Sequence, residues 1–171
     1  MNALVLLLRF LHIVCAVLWV GGAALATLFL IPAVGMAGSV GGEFMQILVN
    51  RTKMTQFLPA VGGLAVLSGI GLFWRDMSTA GGSFAGSHMG ITLSIGGLCG
   101  LLGLIIGGVM TGRSAKELGV VGAAVSSSGR GPTPEQGARI AFLRQRMNTG
   151  AKLSLVFLII ATIAMSVARY V

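Results

Sequence analysis

The sequence predicts an all-α integral membrane protein, a four-helix bundle formed by residues 1–171 as a single transmembrane domain. Hydrophobic residues make up 55% of the chain and charged residues only 9%, whereas soluble domains carry roughly 25% charged residues. Four apolar stretches have the length of roughly 20 residues that a helix needs to cross the hydrocarbon core. The chain is therefore expected to have membrane lipid as its main partner.

The first two predicted helices are bounded by prolines and aromatic residues. The first covers about residues 4–31 and is expected to stop at Pro32. The second covers about residues 57–73 and begins near Pro59, where a missing amide donor is tolerated or the helix kinks. Trp74 and Arg75 close it, since tryptophan is favoured at the level of the lipid headgroups.

The third predicted helix covers about residues 87–110 and carries a stripe of glycines. Gly96, Gly100, Gly103 and Gly107 recur at steps of four, three and four, so they share one face and let a neighbouring backbone come close. This pattern mainly indicates packing, and it also offers a face for a homodimer.

The fourth predicted helix covers about residues 151–168 and follows a basic loop at 113–148. Within this loop, Thr133-Pro134-Glu135-Gln136 has the pattern of a helix start, with a capping residue, a proline and a glutamine three residues after the cap. A helix is therefore expected from about residue 134, either projecting from the membrane or bending near Gly150.

The charge pattern predicts orientation rather than a nucleic-acid partner. The net charge of +8 comes from 12 Lys and Arg residues, most of which lie in the first and third connections between the helices. The positive-inside rule places these connections in the cytoplasm and both termini outside. For a bacterial protein this means the inner membrane, with both termini in the periplasm.

His12 is the residue that most needs an explanation, because an ionisable group inside a membrane span is costly and usually functional. His88, the other histidine, lies at the start of the third helix. Helices 1 and 3 run parallel in a serpentine bundle, so both histidines belong to one leaflet. Arg9 and Trp19 lie on the His12 face of their helix, at offsets of three and seven.

Three interpretations of these residues remain open. Two imidazoles on facing helices can bind a haem iron axially, with Arg9 or Arg75 paired to a propionate. Sulfur ligands in the same leaflet would instead suit Cu(I) with the imidazoles; they are Met77, Met89, Met165 and Cys15. In the third interpretation each histidine only bonds a neighbouring helix carbonyl. No hydrolase or nucleotide-binding motif occurs, and no catalytic residue is identified.

The motif Leu11-His12 followed by Leu18-Trp19-Val20-Gly21-Gly22 resembles the first helix of a group of small bacterial membrane proteins. This group includes the HemJ-type protoporphyrinogen oxidases and the CopD-type copper-resistance domains. The HemJ resemblance implies a b-type haem bound by His12 and by a lysine just after the start of the third helix. Gly90 occupies that lysine position, so the resemblance leaves oxidoreductase activity open. The CopD resemblance implies copper handling through His12.

The sequence thus favours a haem b protein in electron transfer or oxidation of a small reductant, with His12 and His88 as iron ligands and with Arg9, Trp19 and Arg75 around the cofactor. A copper-binding or copper-transport protein is the first alternative, and a ligand-free structural or assembly subunit is the second. The sequence names no substrate and no redox partner.

Overall fold

A computed structural model describes residues 3–81 and 83–171, apart from the side chain of Ser39. The described residues form five helices and no strand. The helices are α1 (Ala3–Met36), α2 (Gly38–Asn50), α3 (Met54–Ala80), α4 (His88–Ser127) and α5 (Pro134–Tyr170). All but α2 are long and apolar enough to cross a membrane, so the predicted all-α membrane bundle is confirmed.

The outer surface of the bundle is apolar, as expected for helices that face lipid. Large side chains are widely exposed on every long helix; Leu7 is 60% exposed, Ile70 58% and Ile163 56%. A soluble protein rarely exposes apolar patches of this extent. These side chains meet hydrocarbon in a bilayer, so their exposure identifies the face that contacts lipid.

Helix α1 continues past Pro32, where the sequence predicted its end. Pro32 lies in the α-helical segment Ile31–Met36. The five residues before that segment, Ala26–Leu30, form a π-helical turn. Proline lacks the amide donor that the regular helix would use. The wider turn just before it changes the hydrogen-bond register, and the chain passes Pro32 without leaving the helical path.

Helix α4 also extends beyond the predicted end of its apolar segment. A second π-helical turn, Gly107–Gly112, leads into a further α-helical stretch, Arg113–Ser127, so much of the predicted basic loop is helical. Helix α5 begins at Pro134 with the predicted capping box, in which Thr133 and Gln136 bond each other's backbone amides. It runs through Gly150 without a break.

The helices pack mainly as two antiparallel pairs, α1 with α3 and α4 with α5. Fewer contacts join α3 to α4 and α1 to α5, so α1 and α4 occupy diagonal corners of the bundle. The buried core between the helices includes Cys15, Trp19, Val61, Ala65 and Leu158. The short helix α2 packs on the extended part of α4.

Part of the glycine stripe of α4 faces α5. A Cβ atom added at Gly96 would lie 3.1 Å from the Ala164 Cβ atom, and one added at Gly103 would lie 3.1 Å from Leu158 Cδ2. The buried Ser154 Oγ donates a hydrogen bond of 2.8 Å to the Gly103 carbonyl. Close approach through small residues is the usual mode of helix packing in membranes. The part of the stripe formed by Gly96 and Gly103 therefore packs within the chain.

Candidate functional site

His12 connects α1 to α3 through a hydrogen bond. Its Nδ1 atom lies 2.7 Å from the Ala65 carbonyl oxygen, and the imidazole is half-buried. A carbonyl oxygen only accepts, so Nδ1 is the donor. In a neutral imidazole the other nitrogen, Nε2, then carries a lone pair and is able to bind a metal.

The acceptor of His12, the Ala65 carbonyl, lies in a turn of α3 where the Ser68 hydroxyl also bonds the helix backbone. Ser68 Oγ lies 2.6 Å from the Leu64 carbonyl oxygen and 3.1 Å from that of Ala65. Hydroxyl bonds to the preceding turn often bend a helix. Ala65 and Ser68 are both only 3% exposed, so the acceptor for His12 is inside the bundle.

Two rings of α1 pack on two glycines of α3 with the same spacing. A Cβ atom added at Gly69 would lie 2.8 Å from His12 Cε1, and one added at Gly62 would lie 2.8 Å from Trp19 Cε2. His12 and Trp19 are seven residues apart, as are Gly62 and Gly69. Because the helices are antiparallel and seven residues are about two turns, both rings meet a glycine. This packing fixes the position of the imidazole.

Helical rise gives different depths in the bundle for His88 and His12. Trp19 of α1 and Leu104 of α4 both contact the Cβ position of Gly62, which aligns the two helices in depth. With a rise of about 1.5 Å per residue, His12 lies roughly 11 Å from Trp19, and His88 lies roughly 24 Å from Leu104. By this estimate His88 lies roughly 13 Å nearer than His12 to the end of the bundle where α1 and α4 begin. The side chain of His88 is exposed.

The two arginines predicted to surround a cofactor are both exposed. Arg9 lies one helical turn from His12, towards the start of α1. Arg75 forms an ion pair with Asp76, whose carboxylate is 2.9 Å away. Of the two, Arg9 is the cation on the helix that also carries His12, whereas Arg75 already has an anionic partner.

Cys15, the sulfur residue one turn from His12, lies in the apolar core of the bundle. Cys15 is 5% exposed and packs in the apolar core with Ala65 and Leu158, as a small hydrophobic residue does. Within residues 3–81 and 83–171, no three His, Cys, Asp or Glu side chains gather in a way that would hold a metal ion.

Sequence reasoning missed the α3 side of this site. The acceptor of His12 is a backbone carbonyl, which no residue type marks. The shared seven-residue spacing of the ring pair and the glycine pair was visible in the sequence and pointed to their contact. An ionisable residue on α3 would have been a stronger signal that α3 faces His12. The sequence of α3 has none between Met54 and Trp74.

The fold and its lipid-facing surface define a multi-pass α-helical membrane protein. Comparison with known proteins finds no matching family model, no significantly similar curated protein and no significantly similar solved structure. The residues around His12 and the cavities of the bundle are the features of this chain that bear on function.

Proposed function

We propose that this protein binds haem b in the membrane and serves electron transfer or the oxidation of a small reductant, with His12 as its histidine ligand. The observation that carries the proposal is the hydrogen bond from His12 Nδ1 to the Ala65 carbonyl. Histidines that bind metals usually donate their second ring nitrogen to a carbonyl or carboxylate, which fixes the tautomer and the ring orientation.

His12 would supply one ligand to the haem iron. Ala65 and Gly69 hold the imidazole, so its lone-pair nitrogen stays in one orientation. Arg9, one turn away, would pair with a propionate. Bound haem would supply a one-electron redox couple whose potential depends on its axial ligands and on burial.

The proposal does not use His88, because the helical rise from the shared contact at Gly62 gives it a depth about 13 Å from that of His12. Both histidines would have to reach the same iron atom to share it. A haem held by His12 alone would remain accessible to a small molecule, which would suit the oxidation of a small reductant better than simple electron transfer.

The resemblance of the first-helix motif to HemJ-type proteins supports haem at His12, and the resemblance to CopD-type domains supports copper. Copper is the second candidate because Cys15 lies one turn from His12. Cys15 packs against Ala65 and Leu158 in the apolar core, and this packing makes copper the weaker candidate than haem. In a ligand-free structural subunit, the same hydrogen bond would only join α1 to α3.

The test is an absorption spectrum of the detergent-purified protein, oxidised and then reduced with dithionite, with a pyridine haemochrome assay and metal analysis on the same sample. The proposal predicts a Soret band and about one haem b per chain. A colourless protein that contains copper would overturn the proposal in favour of copper handling. A colourless, metal-free protein from cells supplied with haem would overturn it in favour of a structural role.

We also propose that the end of the bundle with nine of the twelve basic residues faces the cytoplasm. These residues are Arg51, Lys53, Arg113, Lys116, Arg130, Arg139, Arg144, Arg146 and Lys152. The positive-inside rule supports this orientation. The site at His12 would then lie nearer the periplasmic face.

A further inference from the structure

A cavity of about 620 Å³ opens at the basic end of the bundle, among the end of α1, α2, α4 and α5. Arg144 and Lys152 of α5 line it, and both side chains are exposed. Among the described residues, those that line the cavity include no Asp or Glu. The nearby Glu117 pairs with Arg139 instead. The cavity therefore carries two positive charges without an acidic partner in its wall.

Neutral polar groups stand beside these cations. Gln46, Gln145 and Asn148 also line the cavity, and each side-chain amide offers two donors and one acceptor. Cations combined with amide donors are suited to the oxygens of a phosphate group. The polar part of the wall thus fits an anionic headgroup.

The remaining wall of the cavity is apolar and continues into the bundle. Ile31, Met45 and Met147 line the basic cavity and also a second cavity of about 160 Å³. The second cavity lies among all five helices, and both π-helical turns contribute to it. A charged region beside an apolar region matches an amphiphilic molecule.

We infer that this cavity binds the headgroup of an anionic phospholipid from the surrounding leaflet, with Arg144 and Lys152 contacting the phosphate. The apolar wall around Ile31 and Met45 receives the start of the acyl chains. Basic pockets between membrane helices are a recurrent form of headgroup site. The inference does not depend on haem, since His12 lies towards the opposite end of α1.

The test measures binding of dioctanoyl phosphatidylglycerol to the full-length protein in a neutral detergent by native mass spectrometry. Dioctanoyl phosphatidylcholine and inorganic phosphate are measured in parallel. The inference predicts at least tenfold tighter binding of phosphatidylglycerol than of phosphatidylcholine. It also predicts about thirtyfold weaker phosphatidylglycerol binding by the Arg144→Gln/Lys152→Gln variant, the loss expected for two surface cations.

The matched control is Arg51→Gln/Lys53→Gln, which removes the same two charges from exposed positions outside the cavity. Its affinity should stay within a factor of three of the parent protein. An equal loss in both double variants would show a general charge effect and overturn the inference. Binding of inorganic phosphate as tight as that of phosphatidylglycerol would assign the cavity to a soluble anion and overturn it too.

A second variant tests the cavity without removing charge. Gly35 and Gly42 line it, and an added Cβ atom at either position meets nothing within 4 Å. Gly35→Leu/Gly42→Leu should therefore fill the space while both cations remain. The inference predicts at least tenfold weaker phosphatidylglycerol binding with an unchanged circular dichroism spectrum. Unchanged binding by this folded variant would overturn it.

Discussion

At the residue scale, the position of His12 depends on small neighbours on α3. The imidazole donates to Ala65 and rests on Gly69, so both its orientation and its tautomer are fixed by the other helix. The sequence predicted that His12 was exceptional, but it gave no acceptor, because a backbone carbonyl has no signature in the residue string. It also left a ligand-free role open, and the hydrogen bond is compatible with that role.

Gly69→Ala tests this packing. The added methyl group would lie 2.8 Å from His12 Cε1 and 3.1 Å from Nδ1, so the ring must move and its bond to Ala65 must weaken. We expect a loss of about 1–3 kcal/mol in the free energy of unfolding, typical of overpacking. Denaturation in mixed detergent micelles measures it.

The control on the same helix is Gly63→Ala, where the added atom meets nothing within 4 Å. It should leave stability unchanged or raise it by up to about 1 kcal/mol, because alanine is the better helix former. Equal losses in the two variants would show that His12 does not rest on Gly69.

At the element scale, the helices are longer than their apolar segments. Hydropathy predicts only the part of a helix that lies inside the membrane. The segment Arg113–Ser127 is polar, so hydropathy does not predict its helix; it is helical because it packs against α2 and α5. The continuation of α1 past Pro32 depends on a π-helical turn, which no local composition marks. The start of α5 was predictable, since a capping box is a local pattern.

The crossing of α4 and α5 gives a prediction at this scale. Gly150 lies against the π-helical turn of α4; an added Cβ atom would overlap Met110 Cβ and lie 3.0 Å from Thr111 Oγ1. Gly150→Ala should therefore separate the two helices and cost about 1–3 kcal/mol of stability. A thermal melt of the purified protein measures the change.

Gly137→Ala serves as the control on α5, because nothing lies within 4 Å of the added atom. Its melting temperature should match or exceed that of the parent protein. If Gly150→Ala were equally well tolerated, the close crossing at the π-helical turn would be refuted.

At the scale of the whole molecule, the order of packing decides which residues meet. Four apolar stretches predicted a bundle, but many packing orders satisfy the same stretches. With α1 and α4 at diagonal corners and both in contact with Gly62, the helical rise gives His12 and His88 different depths. The sequence placed the two histidines in one leaflet, with His12 about 12 Å below the start of its helix and His88 at the start of its own, but it did not give the register between the two helices.

The proposed orientation is tested by single cysteines in a Cys15→Ala/Cys99→Ala background. Ser83→Cys lies in the connection between α3 and α4, and Ser128→Cys lies just after α4; both positions are exposed. A membrane-impermeant maleimide should label the first in intact spheroplasts and the second only after lysis. The reverse pattern would contradict the assignment of the basic end to the cytoplasm.

The most direct test of the central claim compares His12→Ala with His88→Ala by absorption spectroscopy of the purified, haem-supplied proteins. The account predicts that His12→Ala loses the haem spectrum, whereas His88→Ala keeps both the Soret position and the haem content of the parent protein. An unchanged spectrum in His12→Ala would contradict the account. Equal loss in the two variants would instead restore the pair of histidine ligands that the sequence suggested.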